Sequence, residues 1–205
     1  MIALHRHRSE WIASGPGGEW RADAVVLANG VAAQDLLRGL GVRLALAAAK
    51  GYSRTFTATG SGPKRPVYLE HPKVAISVYD GAVRVSGTLE LGARTLALSQ
   101  RRLKAITAAA RAAMPHWEMP AEPADWAGMR SMSPDGLPYI GAIPGHEGLY
   151  VATGHATLGI TLAPLSGELL AGLMLNRERD PLLAAFEPGR AVARLRANTT
   201  RGGTR

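Results

Sequence analysis

Apolar and polar positions divide this chain into strand-like runs, glycine turns and two helical stretches. Glu10-Trp-Ile-Ala-Ser14 and Glu19-Trp-Arg-Ala22 flank Gly15-Pro-Gly-Gly18. Two short runs about a Gly/Pro turn predict a strand and its returning partner. Ala22-Asp-Ala-Val-Val-Leu-Ala-Asn-Gly30 follows as a continuous apolar run ending in glycine, with helix-like spacing from Val31 to Leu40. That is the pattern of a buried parallel strand feeding a helix, and ligands often sit at the carboxyl ends of such strands.

Residues 43–98 change character. Tyr52–Thr59, Pro66–Glu70, Val74–Tyr79 and Val83–Leu89 are short strand-like runs, punctuated by Gly60-Ser-Gly-Pro63, His71-Pro72 and Asp80-Gly81. Asp-Gly between alternating runs is a hairpin signal, so this region predicts an antiparallel sheet. A helix is predicted over 99–114: Ser99 suits the N-cap, Leu103, Ile106 and Ala110 share a face, and Pro115 ends it. Its basic face, Arg101, Arg102, Lys104 and Arg111, reads as solvated surface.

The stretch Gly148–Gly167 reads as strand, glycine turn, helix. Leu149–Ala152 is the strand, and Gly154 and Gly159 bracket the turn. Ile160, Leu162, Leu165, Leu169, Leu170, Leu173 and Met174 predict a helix buried on more than one side. Pro164 is tolerated in a first turn, which predicts a helix start near Thr161. A glycine-lined helix start offers free N–H groups and a positive dipole end to an anion or an electron-rich carbonyl; a plain packing turn is the alternative.

Upstream, Arg130 lies in an extended apolar run from Trp126 that includes Met129 and Met132. Burying an arginine there is costly unless it meets an anion. Pairing with Asp125 or Asp135, or pointing to solvent, are the alternatives. Pro134-Asp-Gly136 predicts a turn, Tyr139-Ile140 another strand, and Gly145–Gly148 the turn that follows.

Composition narrows the field. With 205 residues, 46% hydrophobic and 20% charged, the chain suits one sizeable domain or two small ones of a soluble protein. It has no cysteine, which excludes disulfides and thiolate chemistry, and its six histidines show no metal-ligand spacing. No apolar run is long enough to span a bilayer, and Met1–Arg8 is not followed by a signal-peptide apolar region. A cytoplasmic location is the expectation. The net charge of +8 owes much to Arg190, Arg194, Arg196, Arg201 and Arg205, with no acid after Glu187. That reads as a solvated basic tail over 189–205 and not as a nucleic-acid surface, with peripheral contact to the inner face of a membrane left open.

Val25-Val-Leu-Ala-Asn-Gly30, Lys50-Gly-Tyr52, Gly87-Thr-Leu-Glu90, Arg130 through Pro134-Asp-Gly-Leu-Pro-Tyr-Ile-Gly141, and Gly148 through Gly167 occur in one order. That order resembles the second half of flavoproteins of the D-amino-acid oxidase family, nearest to its D-amino-acid dehydrogenase and glycine oxidase branch. The resemblance implies FAD as cofactor and a small amino acid as substrate, oxidised at the Cα–N bond by hydride transfer to the flavin. It implies that Arg130 grips the substrate carboxylate, and that Tyr52 is an aromatic of the substrate pocket. It places Gly154, His155, Gly159, Ile160 and Thr161 against the flavin ring, and Ala28 and Gly30 at a strand end beside the cofactor. A side-chain base is not required when the amine enters neutral, so no catalytic residue is assigned, and His155 is expected to serve through backbone or packing. No metal is expected.

The family opens with a Rossmann GxGxxG unit for the FAD pyrophosphate, and Gly15-Pro-Gly-Gly18 is not one, since no helix follows it. The expected fold is α+β: part of an α/β FAD-binding domain in 1–46 and 139–188, around an antiparallel substrate-binding sheet in 47–138, without the Rossmann unit. Three readings stay open. The chain is one part of a flavin enzyme whose Rossmann half is a separate chain, or an inactive truncated remnant, or a binding module for a small carboxylate.

Overall fold

A computed structural model describes residues 3–175 and 180–190. Along the chain lie strands β1 (Ala3–His7), β2 (Glu10–Gly15), β3 (Gly18–Ala22) and β4 (Val25–Leu27), a 3-10 turn at Gly30–Ala32, and helix α1 (Ala33–Gly39). Then come β5 (Ala47–Thr57), β6 (Val67–Leu69), β7 (Val74–Tyr79), β8 (Ala82–Leu91), α2 (Gln100–Ala113) and β9 (Ala124–Met132). The chain closes with β10 (Tyr139–Ala142), β11 (Leu149–Thr153), α3 (Gly159–Met174) and the short α4 (Leu183–Phe186). Two compact units result: Met1–Ala47 with Arg130–Arg205, and Ala48–Met129. Residues 191–205, most of the expected basic tail, lie outside the described residues. Among the described residues no helix is long and apolar enough to cross a membrane.

In the first unit, β1-β2-β3 form an antiparallel sheet. The predicted hairpin closes at Gly15↔Gly18, where Gly18 takes a φ of 124°. Strand β1 is an addition. Its sequence, Ala-Leu-His-Arg-His, has one apolar side chain facing the core, and pairing with β2 in the register Leu4↔Ala13 makes it a strand. The second sheet has the order β10-β11-β4. Here β4 runs parallel to β11 and β10 runs antiparallel to it. Trp11, Leu27, Leu37, Tyr139, Leu149 and Val151 fill the core around these strands. The Trp11 indole donates to the Glu147 carbonyl at 3.0 Å, and the Tyr139 hydroxyl donates to the Ala45 carbonyl at 3.1 Å. Both aromatic polar ends are therefore satisfied as they are buried.

Helix α3 departs from expectation twice. It begins at Gly159, so Pro164 is its sixth residue and not part of its first turn. Proline has no N–H to give the Ile160 carbonyl, and one lost bond near an exposed helix start is tolerated because later residues anchor the helix. Burial is one-sided: Ser166, Leu169 and Leu170 are buried, whereas Ile160 is 94% exposed.

The second unit is the antiparallel sheet of order β6-β7-β8-β5-β9 with α2 on one face. Phe56, Val74, Ile76, Val85, Leu103 and Ile106 make its core. Trp117 meets Phe56 edge to face, with centroids 5.4 Å apart. Ser99 holds the N-cap position of α2, but its side chain makes no cap bond; its carbonyl accepts from Arg102 and Leu103 instead. Gly87 is required by packing, since a Cβ there would lie 3.0 Å from the Lys73 carbonyl oxygen and the Val74 side chain. Thr88, next to it, has a φ of 56°, and the β5–β8 register shifts at this point from Tyr52↔Gly87 to Gly51↔Leu89. A β-bulge is the result.

Arg190 closes the end of the first unit. It donates to Asp135 at 3.0 and 3.2 Å and to the Leu137 carbonyl at 2.7 Å, and its guanidinium lies 4.2 Å from the Tyr139 ring centre. Its hydrogen bonds, aided by the Leu137 N–H, lower the Asp135 pKa to about 2 against the opposing effect of burial. Because the folded carboxyl is the stronger acid, this contribution is present above the ordinary carboxylate range and lost as pH falls toward 2. Asp135→Asn should lower unfolding free energy at neutral pH by roughly 1.5–3 kcal/mol. It should also flatten the acid limb between about pH 4 and 2 in urea titrations, relative to the parent chain.

Candidate functional site

Parallel pairing of β4 with β11, Leu27 opposite Val151, brings the carboxyl ends of two strands side by side. One end runs into Ala28-Asn-Gly30 and the other into Gly154-His-Ala156. Gly30 has a φ of 62° and Gly154 a φ of 82°, both in the left-handed region where glycine is favoured. The two turns are tied directly, as the Thr153 hydroxyl donates to the Gly30 carbonyl at 2.9 Å.

A third segment joins them. The Gly154 N–H donates to the Ser131 hydroxyl at 3.0 Å, and the Ala156 N–H donates to the Ser131 carbonyl at the same distance. The Ser131 and Thr153 hydroxyls lie 3.3 Å apart, and Met132 bridges His155 as an isolated antiparallel pair. Ala156 is held at a φ of 52°, a strained conformation for a residue with a Cβ. Thus the Gly154–Ala156 loop is fixed on one side by β4 and on the other by the end of β9, which carries Arg130.

Helix α3 begins three residues later. Its N-cap, Leu158, makes no side-chain cap bond. The first-turn N–H groups of Gly159, Ile160 and Thr161 have no partner within the helix, and the dipole puts partial positive charge there. Leu158 and Ile160 expose apolar surface at the same helix start. The His155 ring nitrogen Nε2 lies 3.0 Å from the Ser166 hydroxyl on α3. Burial lowers the His155 pKa, which favours the neutral ring.

Arg130 is half-buried, and among the described residues no carboxylate pairs with it. The two acids near it in sequence are taken. Asp125 accepts from Arg54 at 2.7 and 3.1 Å, and Asp135 accepts from Arg190. Tyr52, in the other unit, is 2% exposed; its ring lies in the core of sheet and α2, and its hydroxyl donates to Glu90. Lys50 and Arg102 lie 3.3 and 3.6 Å from the same carboxylate. The Tyr52 hydroxyl first, then Lys50 and Arg102, hold the Glu90 pKa below the ordinary value.

The sequence reading missed Ser131, Thr153 and Ala156. Nothing in the local pattern marks them, because their roles come from a contact across 22 residues of chain.

The family model of FAD dependent oxidoreductases matches residues 2–173. The chain belongs to this DAO family. It is 40% identical over 169 residues to a D-amino acid dehydrogenase of Chromohalobacter salexigens, covering 80% of this chain and 40% of that protein. It is 37% identical to a glycine oxidase of Pseudomonas aeruginosa, covering 78% of this chain and 44% of that protein. The crystal structure of glycine oxidase from Geobacillus kaustophilus superposes with a TM-score of 0.78 at 29% identity, over 90% of this chain and 50% of that one. The chain spans less than half the length of these curated relatives and half of this solved structure. Family membership settles the cofactor class as FAD and the fold as the mixed α/β kind of FAD-dependent oxidases, with antiparallel sheets.

The residues present fit a flavin edge. A Cβ on Gly30 would meet nothing within 4 Å, so the strand end is open to close approach. Beside it stand an uncapped helix start and exposed apolar side chains suited to a planar ring.

Thr153→Val should destabilise the first unit by roughly 1–3 kcal/mol, by removing the donor to the Gly30 carbonyl and one of the two partners of the Ser131 hydroxyl. Denaturant midpoints measured on both chains check this. For His155 the sign is opposite to that of a histidine gaining an acidic partner. Its stabilising contribution is complete above the ordinary histidine pKa and declines as pH falls below it, where the unfolded state binds the proton first. His155→Gln should flatten the pH dependence of the urea midpoint in that window.

Proposed function

We propose that this chain supplies the flavin-ring side and the substrate anchor of an amino-acid oxidoreductase acting on the Cα–N bond of a small amino acid. Arg130 is the observation that carries the reading: a half-buried guanidinium on the strand end tied to the glycine turns, with both neighbouring acids engaged elsewhere. A substrate carboxylate offers it the planar, two-oxygen partner that guanidinium geometry matches. The names of the relatives, a D-amino acid dehydrogenase and a glycine oxidase, support a small amino acid as that substrate.

FAD, when bound, accepts the hydride from the substrate Cα. The chain's own residues orient and stabilise. Gly159, Ile160 and Thr161 would offer free backbone N–H groups and the helix dipole to the electron-rich edge of the ring, with the Gly154 turn leaving room for it, a contribution of roughly 0.3–1 kcal/mol toward the reduced, anionic form. Ala28 and Gly30 leave the second strand end open. His155, neutral and set against Ser166, holds the loop to α3 and moves no proton. Tyr52 is the second proposed substrate residue, and it reaches a ligand only by exchanging its hydrogen bond to Glu90. The enzyme is proposed to work in the cytoplasm.

The deciding experiment is a flavin absorption spectrum of the chain with FAD added, followed by titration with D-alanine and glycine. A perturbed band that bleaches on substrate supports the reading; no perturbation, with or without a GxGxxG partner, removes it. In the flavin-loaded protein, Arg130→Ala should raise KM for D-alanine roughly 10- to 100-fold, the loss expected for a charged hydrogen-bonded pair. An unchanged KM would take Arg130 out of the site.

A further inference from the structure

Strand β9 carries Trp126, Gly128 and Arg130 at alternate positions, which share one face of the strand. Ala127 packs into the core against α2, so Trp126 and Gly128 face away from that helix. A Cβ on Gly128 would lie 2.0 Å from the outer edge of the Trp126 ring. The indole therefore lies along the strand, over Gly128 and toward Arg130, and a glycine is what leaves it room. Above, the residue stays 60% exposed. It is an apolar wall with a fixed floor and an open side.

The surface beside this wall is built from small residues. The bond from Arg54 to Asp125 sets Trp126 next to the β5 residues that flank Arg54, Ser53 and Thr55. Across the sheet, Ser53 stands opposite Ser86 and Ser86 opposite Ala75. Tyr68, 58% exposed, stands opposite Ala75 and ends the row. Three small side chains between two exposed aromatics make a trough. The Ser86 hydroxyl donates to the Ala75 carbonyl at 3.4 Å. Ser53 is 3% exposed, and its hydroxyl has no hydrogen-bond partner among the described residues, which leaves it to a molecule in the trough. The next row, Thr55, Arg84 and Ser77, adds one cation and no acid.

Resting on the reading that Arg130 takes the substrate carboxylate, we propose that Trp126 selects the substrate's side chain, and that it selects an uncharged, apolar one. A molecule held by its carboxylate at Arg130 meets the indole as the apolar surface along the same strand face. The small row leaves room for several carbons beyond the methyl of alanine. A cationic side chain would find Arg84 and no acid on this face, and a carboxylate side chain would lose its water against the indole. Glycine has no side chain to place there and gains nothing from Trp126.

The test compares glycine, D-alanine and D-norvaline as substrates of the flavin-loaded protein. Trp126→Ala should lower kcat/KM for D-norvaline about tenfold or more, for D-alanine by less, and for glycine not at all, since each methylene in an apolar pocket is worth roughly tenfold or more. Gly128→Ala keeps the tryptophan but displaces its ring, and should change the three substrates in the same order. Trp126 is exposed, so the melting transition of Trp126→Ala should match the parent. A second readout needs no turnover: the indole N–H resonance lost in Trp126→Phe should shift with pentanoate more than with acetate, and Arg130→Ala should abolish that shift. Trp126→Ala that lowers all three substrates equally, or none, overturns the proposal; Arg130→Ala that still raises every KM leaves the carboxylate reading standing. Absence of a pentanoate shift at Trp126 overturns the proposal whether or not the protein turns over. A shift that Arg130→Ala leaves unchanged also overturns it, because the two residues then do not hold one molecule.

Discussion

The constraint on which the candidate site depends is the parallel pairing of β4 with β11. It places two chain segments more than 120 residues apart with their carboxyl ends level, so that Gly30 and Gly154 become neighbours. Parallel strands end in carbonyl and N–H groups that no ladder partner satisfies. Here one hydroxyl, that of Thr153, answers that need directly across the two turns. The Ser131 hydroxyl and carbonyl then fix the loop from its other side, and α3 starts from a backbone whose direction is already set. Strain at Ala156 persists because hydrogen bonds on both sides over-determine the loop.

Charge is distributed by the same logic of exclusion. Arg54 and Arg190 each take a carboxylate by two nitrogens, and so neither acid near Arg130 in sequence is left for it. A half-buried guanidinium whose neighbouring acids are taken has the chemistry of an anion receptor. In the second unit the opposite holds. Lys50, Tyr52 and Arg102 converge on Glu90, which takes all three. The cluster acts as a structural pin.

Much of the fold was legible in the residues. Gly15-Pro-Gly-Gly18 announced the β2–β3 hairpin and Asp80-Gly81 the β7–β8 hairpin, because turn chemistry is local. Helix α2 begins after Ser99 and ends before Pro115 for the same kind of reason. Other features were not legible. Strand β1 has too few apolar residues to predict itself and exists because β2 offers a pairing edge. The Thr88 bulge lies beside Gly87, which is pressed against Lys73, Val74 and Ile106, none of them near it in sequence. In α3 the apolar count misled: the pattern promised burial on several sides, but only the side of Leu169 and Leu170 found a partner.

By itself the sequence determined the element types, the turns and the order of motifs, and through that order the family and its cofactor class. These rest on backbone preference and on side-chain periodicity, which act over a few residues. Tertiary structure alone decided which arginines take Asp125 and Asp135, which hydroxyls tie the glycine turns together, and which apolar residues face water. Each of those outcomes is a competition among groups 22 to 123 residues apart, and no local pattern records who wins it.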